Sequence, residues 1–501
     1  MALWSGSSPS RAAAGALLVA FVTAACTAAP EEPMPTAAPS IMPTSASGGA
    51  ITVAVPAEPA TLDPFAAAGG APATRDITRL VMPALWRSNA AGERAPWLLA
   101  AEPERIDART IRVALREDAV WSDGKPITIE DLEHTRAHAI AEGTHGYDRI
   151  ERIQAETPKR ARIRFRDAAP DPLDLFSDGL GVLPAHIPVE QLRRAWPVSG
   201  GPFTLRRWRS GLDIQLDGNQ RAWGGDAPLL DRMRIVFVPD AVGALELLER
   251  GEVDVLGPYL APDWQRRLRE VPGVEVSAAT GQTWSVLVMN TERAPLSDRR
   301  VRRALAHAID RRRIARGLVG PQGAGLDEAP PGGAGGFGVY GNPAQARALL
   351  DRAGWSGSPR RKGGSTLDPT VAFVGEDLTW VVVRAIQFQA RQVGFDLQAV
   401  PLDTRQLWEE WLGSDEQRAA VLVLRDPPSV LRSSIGVRDG DPASNVSVLP
   451  LFAVSVVLGA VDGVAGVCAS ASPDGPFWNA HTWSLGEAAA GVCPTRLPSA
   501  A

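Results

Sequence analysis

Lysine is rare in this chain of 501 residues: among 52 basic residues it stands only at positions 125, 159 and 362, and arginine supplies the rest. The formal net charge of −5 lacks the basic excess that neutralises nucleic-acid phosphates. The sequence also lacks G-x-S-x-G, HExxH and GxxxxGK motifs, the usual signatures of serine hydrolases, zinc proteases and nucleotide-binding loops. We therefore expect no nucleic-acid partner, no enzymatic activity, no catalytic residue, no cofactor and no resident metal.

Cysteine is as scarce as lysine, with three residues. The first of them, Cys26, follows Arg11 and the apolar stretch 12–25, which is too short to cross a bilayer but suits the core of a signal peptide. Residues 23–26, Thr-Ala-Ala-Cys, resemble a bacterial lipobox with threonine where leucine is usual. We predict a lipoprotein signal peptide over 1–26 with lipid on Cys26. Ordinary cleavage after an A-x-A-like site, with Cys26 incidental, is the alternative.

Residues 27–49 are rich in Ala, Pro, Ser and Thr without a periodic apolar pattern, which predicts a flexible tether. The remaining cysteines, Cys468 and Cys493, form an even pair that an oxidising compartment would bridge. Two free buried thiols are the alternative to that disulfide.

Strand and helix signals alternate along the rest of the chain, which indicates α/β architecture. Apolar residues make up 45% and charged residues 22%, typical values for a soluble globular protein, and the length predicts about two to four core units. Predicted strands cover 51–55, 110–115, 160–165 and 395–397, and a predicted helix covers 381–393. Other predicted helices follow the capping residues Thr128, Asp240, Asp298 and Asn342.

The apolar run 449–467 has the length of a membrane helix but contains Pro450, Gly459, Asp462 and Gly463. An aspartate is costly in a bilayer, whereas Asp-Gly is a favourable hairpin turn. We predict two buried strands joined at Asp462-Gly463.

Several motifs in a fixed order resemble family 5 of the bacterial extracellular solute-binding proteins, which holds oligopeptide, dipeptide and nickel binders. The most specific segment is 115–132, with Leu-Arg, then Trp-Ser-Asp-Gly-Lys-Pro-Ile-Thr and Asp-Leu. The other matching segments are 51–55, 61–64, 84–86, 92–100, 201–203, Asn219, 251–254, 290–311, the Asn342 helix and 478–483. The resemblance covers about residues 50–485, and most of these motifs are expected to be architectural.

The resemblance implies an α/β fold with two lobes, the type II periplasmic-binding-protein fold in its large class with an extra subdomain. It implies lobe I from residues 50–84, 200–280 and 448–490, the extra subdomain from 85–199, and lobe II from 281–447. The implied function is capture of a peptide or other small solute between the lobes and delivery to an ABC permease and its ATPase. The implied location is outside the plasma membrane or in the periplasm, held by the lipid anchor. A surface sensor or scaffold lipoprotein without transport is the alternative.

The resemblance also supplies cleft candidates. Thr74 and Arg75 are placed in a loop after the first strand, Trp284 near the lobe crossover, and Arg425 with Asp426 at the family's late Asp-Pro step. Peptide-binding relatives carry an acidic residue shortly before that step, whereas residues 421–424 here are apolar. A buried ammonium needs a carboxylate, so an anionic or neutral ligand is as open as a peptide.

Three patterns that could suggest metal or nucleotide sites have simpler interpretations. His134 and His138 are one helical turn apart with His145 beyond, but their helix is otherwise charged, and we expect a solvated face. The acidic segments 171–174 and 439–441 are interpreted as turns, not calcium sites. The glycine-rich segment 333–338 follows no strand, so it does not predict dinucleotide binding.

Overall fold

A computed structural model of the chain describes residues 48–486 with internal gaps. Outside the description lie residues 1–47, 67–68, 70, 90–92, 145, 169–174, 178, 260, 262, 320–340, 375–376, 404–405, 408–417, 426–445, 471–474 and 487–501.

Nine α-helices lie within the described residues. In chain order they are α1 (Pro72–Val81), α2 (Ile129–Ala141), α3 (Val189–Leu192), α4 (Ala241–Glu249), α5 (Trp264–Arg269), α6 (Arg299–Ala308), α7 (Arg311–Val319), α8 (Pro343–Arg352) and α9 (Asp377–Arg391). The described strands are β1 (Ala50–Val55), β2 (Trp86–Ser88), β3 (Arg94–Pro96), β4 (Glu104–Asp107), β5 (Thr110–Ala114), β6 (Ile150–Thr157), β7 (Arg160–Phe165), β8 (Phe203–Arg209), β9 (Asp213–Gly218), β10 (Arg232–Phe237), β11 (Val255–Leu256), β12 (Val274–Met289), β13 (Arg361–Lys362), β14 (Ser365–Thr366), β15 (Thr370–Val374), β16 (Gln398–Leu402), β17 (Ala419–Arg425), β18 (Val448–Val461), β19 (Val464–Ala465) and β20 (Ser484–Leu485).

The predicted capping residues begin their helices. The carboxylate of Asp240 accepts hydrogen bonds from two backbone N–H groups of α4, and the carboxylate of Asp298 accepts one from α6. The Asn342 side chain accepts from the Gln345 N–H in α8, and Asp131 accepts from the backbone N–H of Thr128 at the start of α2. Each bond satisfies a donor that the first helical turn leaves unpaired, so these four helix starts are confirmed.

Ten strands form one mixed sheet in the order β16-β15-β17-β12-β18-β11-β1-β10-β9-β8. Its two longest strands, β12 with 16 residues and β18 with 14, run antiparallel through the middle of the sheet. The early half of β12 pairs with the late half of β18, which pairs with β11, and β11 pairs with β1; we call this side the first lobe. The late half of β12 pairs with the early half of β18 and with β17, and β17 pairs with β15; we call this side the second lobe.

A second sheet has four antiparallel strands in the order β4-β5-β7-β6. Its inward residues join the same apolar cluster as β1 and β10: Ile111, Ile163, Val53 and Ile235 are all buried in it. The second lobe has a separate core, in which helices α6 to α9 cover one face of its strands. The apolar residues therefore form two large clusters, and β12 and β18 run between them.

Two boundary predictions differ from the structure. Helix α9 covers Asp377–Arg391, so it starts four residues before the predicted 381, and strand β16 begins at Gln398 rather than at 395. Gly394, with a φ of 102°, supplies the left-handed residue that ends α9, and Phe395 and Leu397 are buried before the strand begins. The two strands predicted from 449–467 are present as β18 and β19, on either side of Asp462-Gly463, but β19 pairs with β20 and not with β18. Within the described residues, no helix is long and apolar enough to cross a membrane.

Candidate functional site

The crossing between the lobes is marked by irregular pairing of β12 with β18. Residues 274–280 pair with 461–455, but the next pair is Trp284 with Ala453, so β12 carries two extra residues there. A second irregularity lies between Ser285 and Val286, opposite Pro450 of β18. Because proline has no N–H to give to the ladder, an irregularity beside Pro450 is expected. Two such interruptions make this segment the place where the strands can bend.

Trp284 is the first residue of β12 that pairs with β18 on the second-lobe side of the crossing. Its side chain is 5% exposed, and its indole Nε1–H makes no hydrogen bond to any described residue. A buried donor left without an acceptor costs about 1–3 kcal/mol, so such groups usually meet a partner in the working protein. Trp284 thus lies near the lobe crossover, the position that the sequence resemblance implies for it.

Side chains alternate along β12, and this divides its second half between two apolar clusters. Leu287 and Met289 belong to the large core beneath the helices, whereas Trp284, Val286 and Val288 belong to a smaller cluster on the opposite face. That smaller cluster also contains Ala71, the residue that precedes α1, and Leu407. The face of the second lobe that carries Trp284 is thus covered by the segment that enters α1.

Thr74 and Arg75 lie in the first turn of α1, so the prediction of a loop was wrong at this point. Pro72 at the helix start presets the backbone, and the Thr74 and Arg75 amides donate to the Ala71 carbonyl. The Thr74 side chain is completely buried, and its hydroxyl donates to the Thr61 carbonyl at 2.9 Å. That hydroxyl therefore holds the chain segment before α1 against the helix.

Arg75 is directed at a different neighbour. A Cβ added to Gly179 would lie 3.0 Å from the Arg75 Cβ, so the two backbones approach closely and glycine is needed there. The positive charge of Arg75 also acts to lower the pKa of Tyr147, although burial dominates and raises that pKa. Arg75 thus packs against the loop around Gly179, and it lies one helical turn after Ala71.

The late Asp-Pro step lies only partly within the description. Arg425 is the last residue of β17, and its backbone pairs with Thr283 of β12 at the lobe crossing. Asp426 lies outside the described residues, as do the segments 439–441, 171–174 and 333–338 and the residues His145, Cys26 and Cys493. Before Arg425, Val421 and Leu422 are buried among apolar side chains, each in one of the two second-lobe clusters.

One cavity of about 800 Å³ lies at the opposite end of these strands. Its lining includes Trp355, Thr370 at the start of β15 and Arg418 just before β17. Since β17 ends beside Thr283, this cavity and Trp284 occupy opposite ends of the second-lobe strands. It is therefore separate from the lobe crossing.

Sequence reasoning missed a buried polar cluster around Asp226. Arg87 donates to the Asp226 carboxylate at 2.6 Å, and the indole N–H of Trp97 donates to its other oxygen. The guanidinium of Arg79 lies 4.4 Å from the centre of the Trp97 ring. His481 Nε2 is 3.6 Å from Asp226, and burial lowers the His481 pKa to about 4 although the carboxylate acts in the opposite direction. Trp97 belongs to a matched family segment, but Asp226, which accepts its hydrogen bond, is 129 residues away, so no local signal identified it.

Two further predictions concern histidine and cysteine. His138 was expected on a solvated helix face, but its Nε2 lies 2.9 Å from the fully buried Asp63 and its ring contacts Phe65 edge-on, so that prediction was wrong. Cys468 is disulfide-bonded, and its partner lies outside the described residues.

Comparison with known proteins agrees with this architecture. The sequence profile described as "Bacterial extracellular solute-binding proteins, family 5 Middle" matches residues 93–428. The nickel-binding periplasmic protein of Escherichia coli is 24% identical over 348 residues, which are 64% of this chain and 66% of that protein. The oligopeptide-binding protein OppA of Bacillus subtilis is 23% identical over 287 residues, which are 51% of this chain and 52% of that protein. The match thus spans between half and two thirds of these relatives' own length.

A solved structure extends the likeness over most of the fold. The oligopeptide-binding protein AppA of Bacillus subtilis, in complex with a nonapeptide, aligns with a TM-score of 0.74 at 17% identity, covering 88% of this chain and 99% of that one. Fold and crossing strands together define a two-lobed α/β binding protein. The chain belongs to family 5 of the bacterial extracellular solute-binding proteins.

Proposed function

We propose that the chain captures a small solute between its two lobes and delivers it to an ABC permease. The observation that carries this proposal is Trp284, a flat apolar ring at the lobe crossing whose buried N–H lacks an acceptor among the described residues. A ligand with an acceptor atom at the crossing would satisfy that donor. Membership of a family whose named relatives bind nickel or oligopeptides supports a solute cargo.

The proposed ligand is neutral or anionic. If it is a peptide, no protein carboxylate holds its amino terminus. The resemblance to peptide binders would place an acidic residue in this part of the strand. Val421 and Leu422 are instead buried in apolar clusters. A desolvated ammonium would find no compensating charge on these two side chains. The backbone of Arg425 ends the same strand at the lobe crossing, and an arginine is the side chain we propose for a ligand carboxylate or phosphate.

The proposal includes the finer assignments drawn from the sequence. Lobe I comprises 50–84, 200–280 and 448–490, the extra subdomain 85–199 and lobe II 281–447, with ligand contacts from Thr74, Arg75, Trp284, Arg425 and Asp426. Thr74 contributes indirectly, since its buried hydroxyl is bonded to Thr61. The chain is exported and held at the outer face of the membrane by lipid on Cys26, where it meets the permease and ATPase.

The test is native mass spectrometry of protein purified without denaturation, comparing the wild type with W284F and W264F. Phenylalanine retains much of the ring but removes the N–H. Trp264 is a matched control because it is also buried with an unpartnered Nε1, but in the cluster beneath α4 and α5. We expect a bound small molecule in the wild type and in W264F. In W284F the affinity should fall about fivefold, the effect of losing one hydrogen bond worth about 1 kcal/mol.

Adding the identified ligand at a hundredfold excess over its dissociation constant should stabilise the fold by about 2.7 kcal/mol, which raises the melting temperature by a few degrees. Equal affinities for the wild type and W284F would remove the proposed role of the indole N–H. Absence of any co-purifying or stabilising solute would contradict the capture function and favour a scaffold.

A further inference from the structure

Three side chains from two separate parts of the chain form a group with metal-ligand chemistry. The His138 Nε2 lies 2.9 Å from the Asp63 Oδ2, and one ligand atom from each of Asp63, His138 and Glu142 lies within 4.8 Å of the others. Histidine nitrogen and carboxylate oxygen are the donors that zinc uses in three-ligand sites with an open fourth position. In such a tetrahedral site the donor atoms are separated by roughly 3.3 Å, so the His138–Asp63 pair needs only a small adjustment.

Asp63 is held in place by the surrounding backbone. It is completely buried, its Oδ1 accepts from the Phe65 N–H at 3.0 Å, and its own N–H donates to the Thr61 hydroxyl at 3.0 Å. These bonds leave Oδ2 directed at His138. A carboxylate oriented by hydrogen bonds to its other oxygen is the usual arrangement around metal ligands.

His138 and Glu142 are one helical turn apart. Glu142 follows the last residue of α2, and its backbone N–H donates to the His138 carbonyl at 3.0 Å, so both side chains lie on one helix face. The Glu142 side chain is 25% exposed and can move toward the other two donors.

Arg193 occupies the position of a cation in the present arrangement. Its guanidinium is 3.1 Å from Glu142 Oε1 and 3.8 Å from Asp63 Oδ2, and its side chain is 50% exposed. The Arg193 backbone carbonyl accepts from the Leu62 N–H at 2.8 Å, so the side chain can turn to solvent while its backbone stays fixed. The two carboxylates carry two negative charges against one guanidinium, so a divalent ion would balance them fully.

We propose that Asp63, His138 and Glu142 bind a divalent transition metal such as Zn²⁺, with Arg193 as the cation that the metal displaces. Bound metal would tie the segment after β1 to helix α2, two parts of the chain 75 residues apart. The site is distinct from the lobe crossing, and the inference does not depend on the proposed solute capture.

The test is calorimetric titration of the chelator-treated full chain with ZnCl₂, supported by the visible absorption of Co²⁺ at the same site. We expect one equivalent to bind the wild type. Mutation of a residue that orients a metal ligand typically lowers the metal affinity about tenfold or more. H138N and E142Q remove a ligand itself, so each should weaken binding at least tenfold. R193Q should bind Zn²⁺ several-fold more tightly, because the metal no longer competes with a guanidinium.

His186 provides the matched control, since it also pairs with an aspartate, Asp123, at 2.9 Å. H186Q should bind Zn²⁺ as the wild type does. No binding by the folded wild type at millimolar Zn²⁺ would overturn the proposal, as would unchanged affinity in H138N and E142Q. Weaker rather than tighter binding by R193Q would show that Arg193 supports the fold of the group and does not compete for it. Circular dichroism of each variant separates loss of a ligand from loss of structure.

Discussion

Single buried polar residues carry information that the surrounding apolar core does not. Asp226 accepts hydrogen bonds from Arg87 and Trp97, and all three residues are buried. His481, whose side chain is 15% exposed, lies beside the carboxylate. Removing one partner of a buried ion pair costs about 3–5 kcal/mol, because the other charge is left desolvated. The matched segment 92–100 therefore owes part of its stability to a carboxylate far along the chain.

His481 makes the stability of this cluster depend on pH. Burial lowers its pKa from an ordinary 6.5 to about 4, so the folded state holds fewer protons than the unfolded state between these values. The contribution of His481 to the free energy of unfolding is fully present above about pH 6.5, and it falls as the pH drops toward 4 by on the order of 3 kcal/mol. The difference between wild type and H481Q in urea unfolding, measured at several pH values, should show this fall, because carboxylate titrations cancel. A difference independent of pH would contradict the assignment.

Helices in this protein begin where their capping residues stand. The side chains of Asp240, Asp298 and Asn342 accept hydrogen bonds from backbone N–H groups at the starts of α4, α6 and α8, respectively. These helix starts are the predicted ones. Along β12, in contrast, Trp284, Val286 and Val288 face a different cluster from Leu287 and Met289. Strand periodicity gives the alternation, but it does not say which face the helices cover.

The Asn342 cap gives a prediction at this scale. N342A should destabilise α8 by about 1 kcal/mol, because the Gln345 N–H, now bonded to the Asn342 side chain at 3.0 Å, loses its acceptor. N342S retains a capping oxygen and should lose little. Hydrogen exchange followed by mass spectrometry reads the effect locally, as faster exchange in peptides from 343–352. Equal protection in all three proteins would show that packing of Leu349 and Leu350 alone holds the helix.

The whole molecule is organised by two strands that both lobes share. Because β12 and β18 pass through the crossing with irregular pairing, rotation of one lobe against the other would bend few residues. The separate core of the second lobe would stay intact in such a motion, whereas the first lobe and the four-stranded sheet share one core and would move together.

The three cysteines give a prediction for the whole chain. Cys468 is disulfide-bonded, and we expect Cys493 as its partner and a diacylglyceryl group on Cys26. That bridge would close a loop of about 25 residues and contribute roughly 3 kcal/mol in the chain-entropy model. Intact mass of the protein purified from its membrane, alkylated with and without reductant, should show lipid at Cys26 and two thiols only after reduction. A C26A variant should be released or remain unprocessed. Unreduced alkylation at Cys493, or membrane retention of C26A, would contradict the respective assignment.

The α/β class, the family, four helix starts and the turn at Asp462-Gly463 could be predicted from the sequence alone. These features depend on interactions within a few residues: a side chain that caps its own helix, a β-branched run, or an Asp-Gly turn. Boundaries were less exact where burial continues past the element, as at Phe395 and Leu397 before β16.

Which distant residues meet is visible only in the folded chain. Thr74 proved to be helical and buried because Thr61, thirteen residues earlier, offers it an acceptor. His138 is not on the expected solvated face, because its ring pairs with the buried Asp63. Asp226 accepts hydrogen bonds from Arg87 and Trp97, which lie far away in the sequence. Contacts between residues tens to hundreds of positions apart leave no period or spacing in the sequence. They arise only when the sheet brings those segments together, and the burial that follows sets the chemistry of each group.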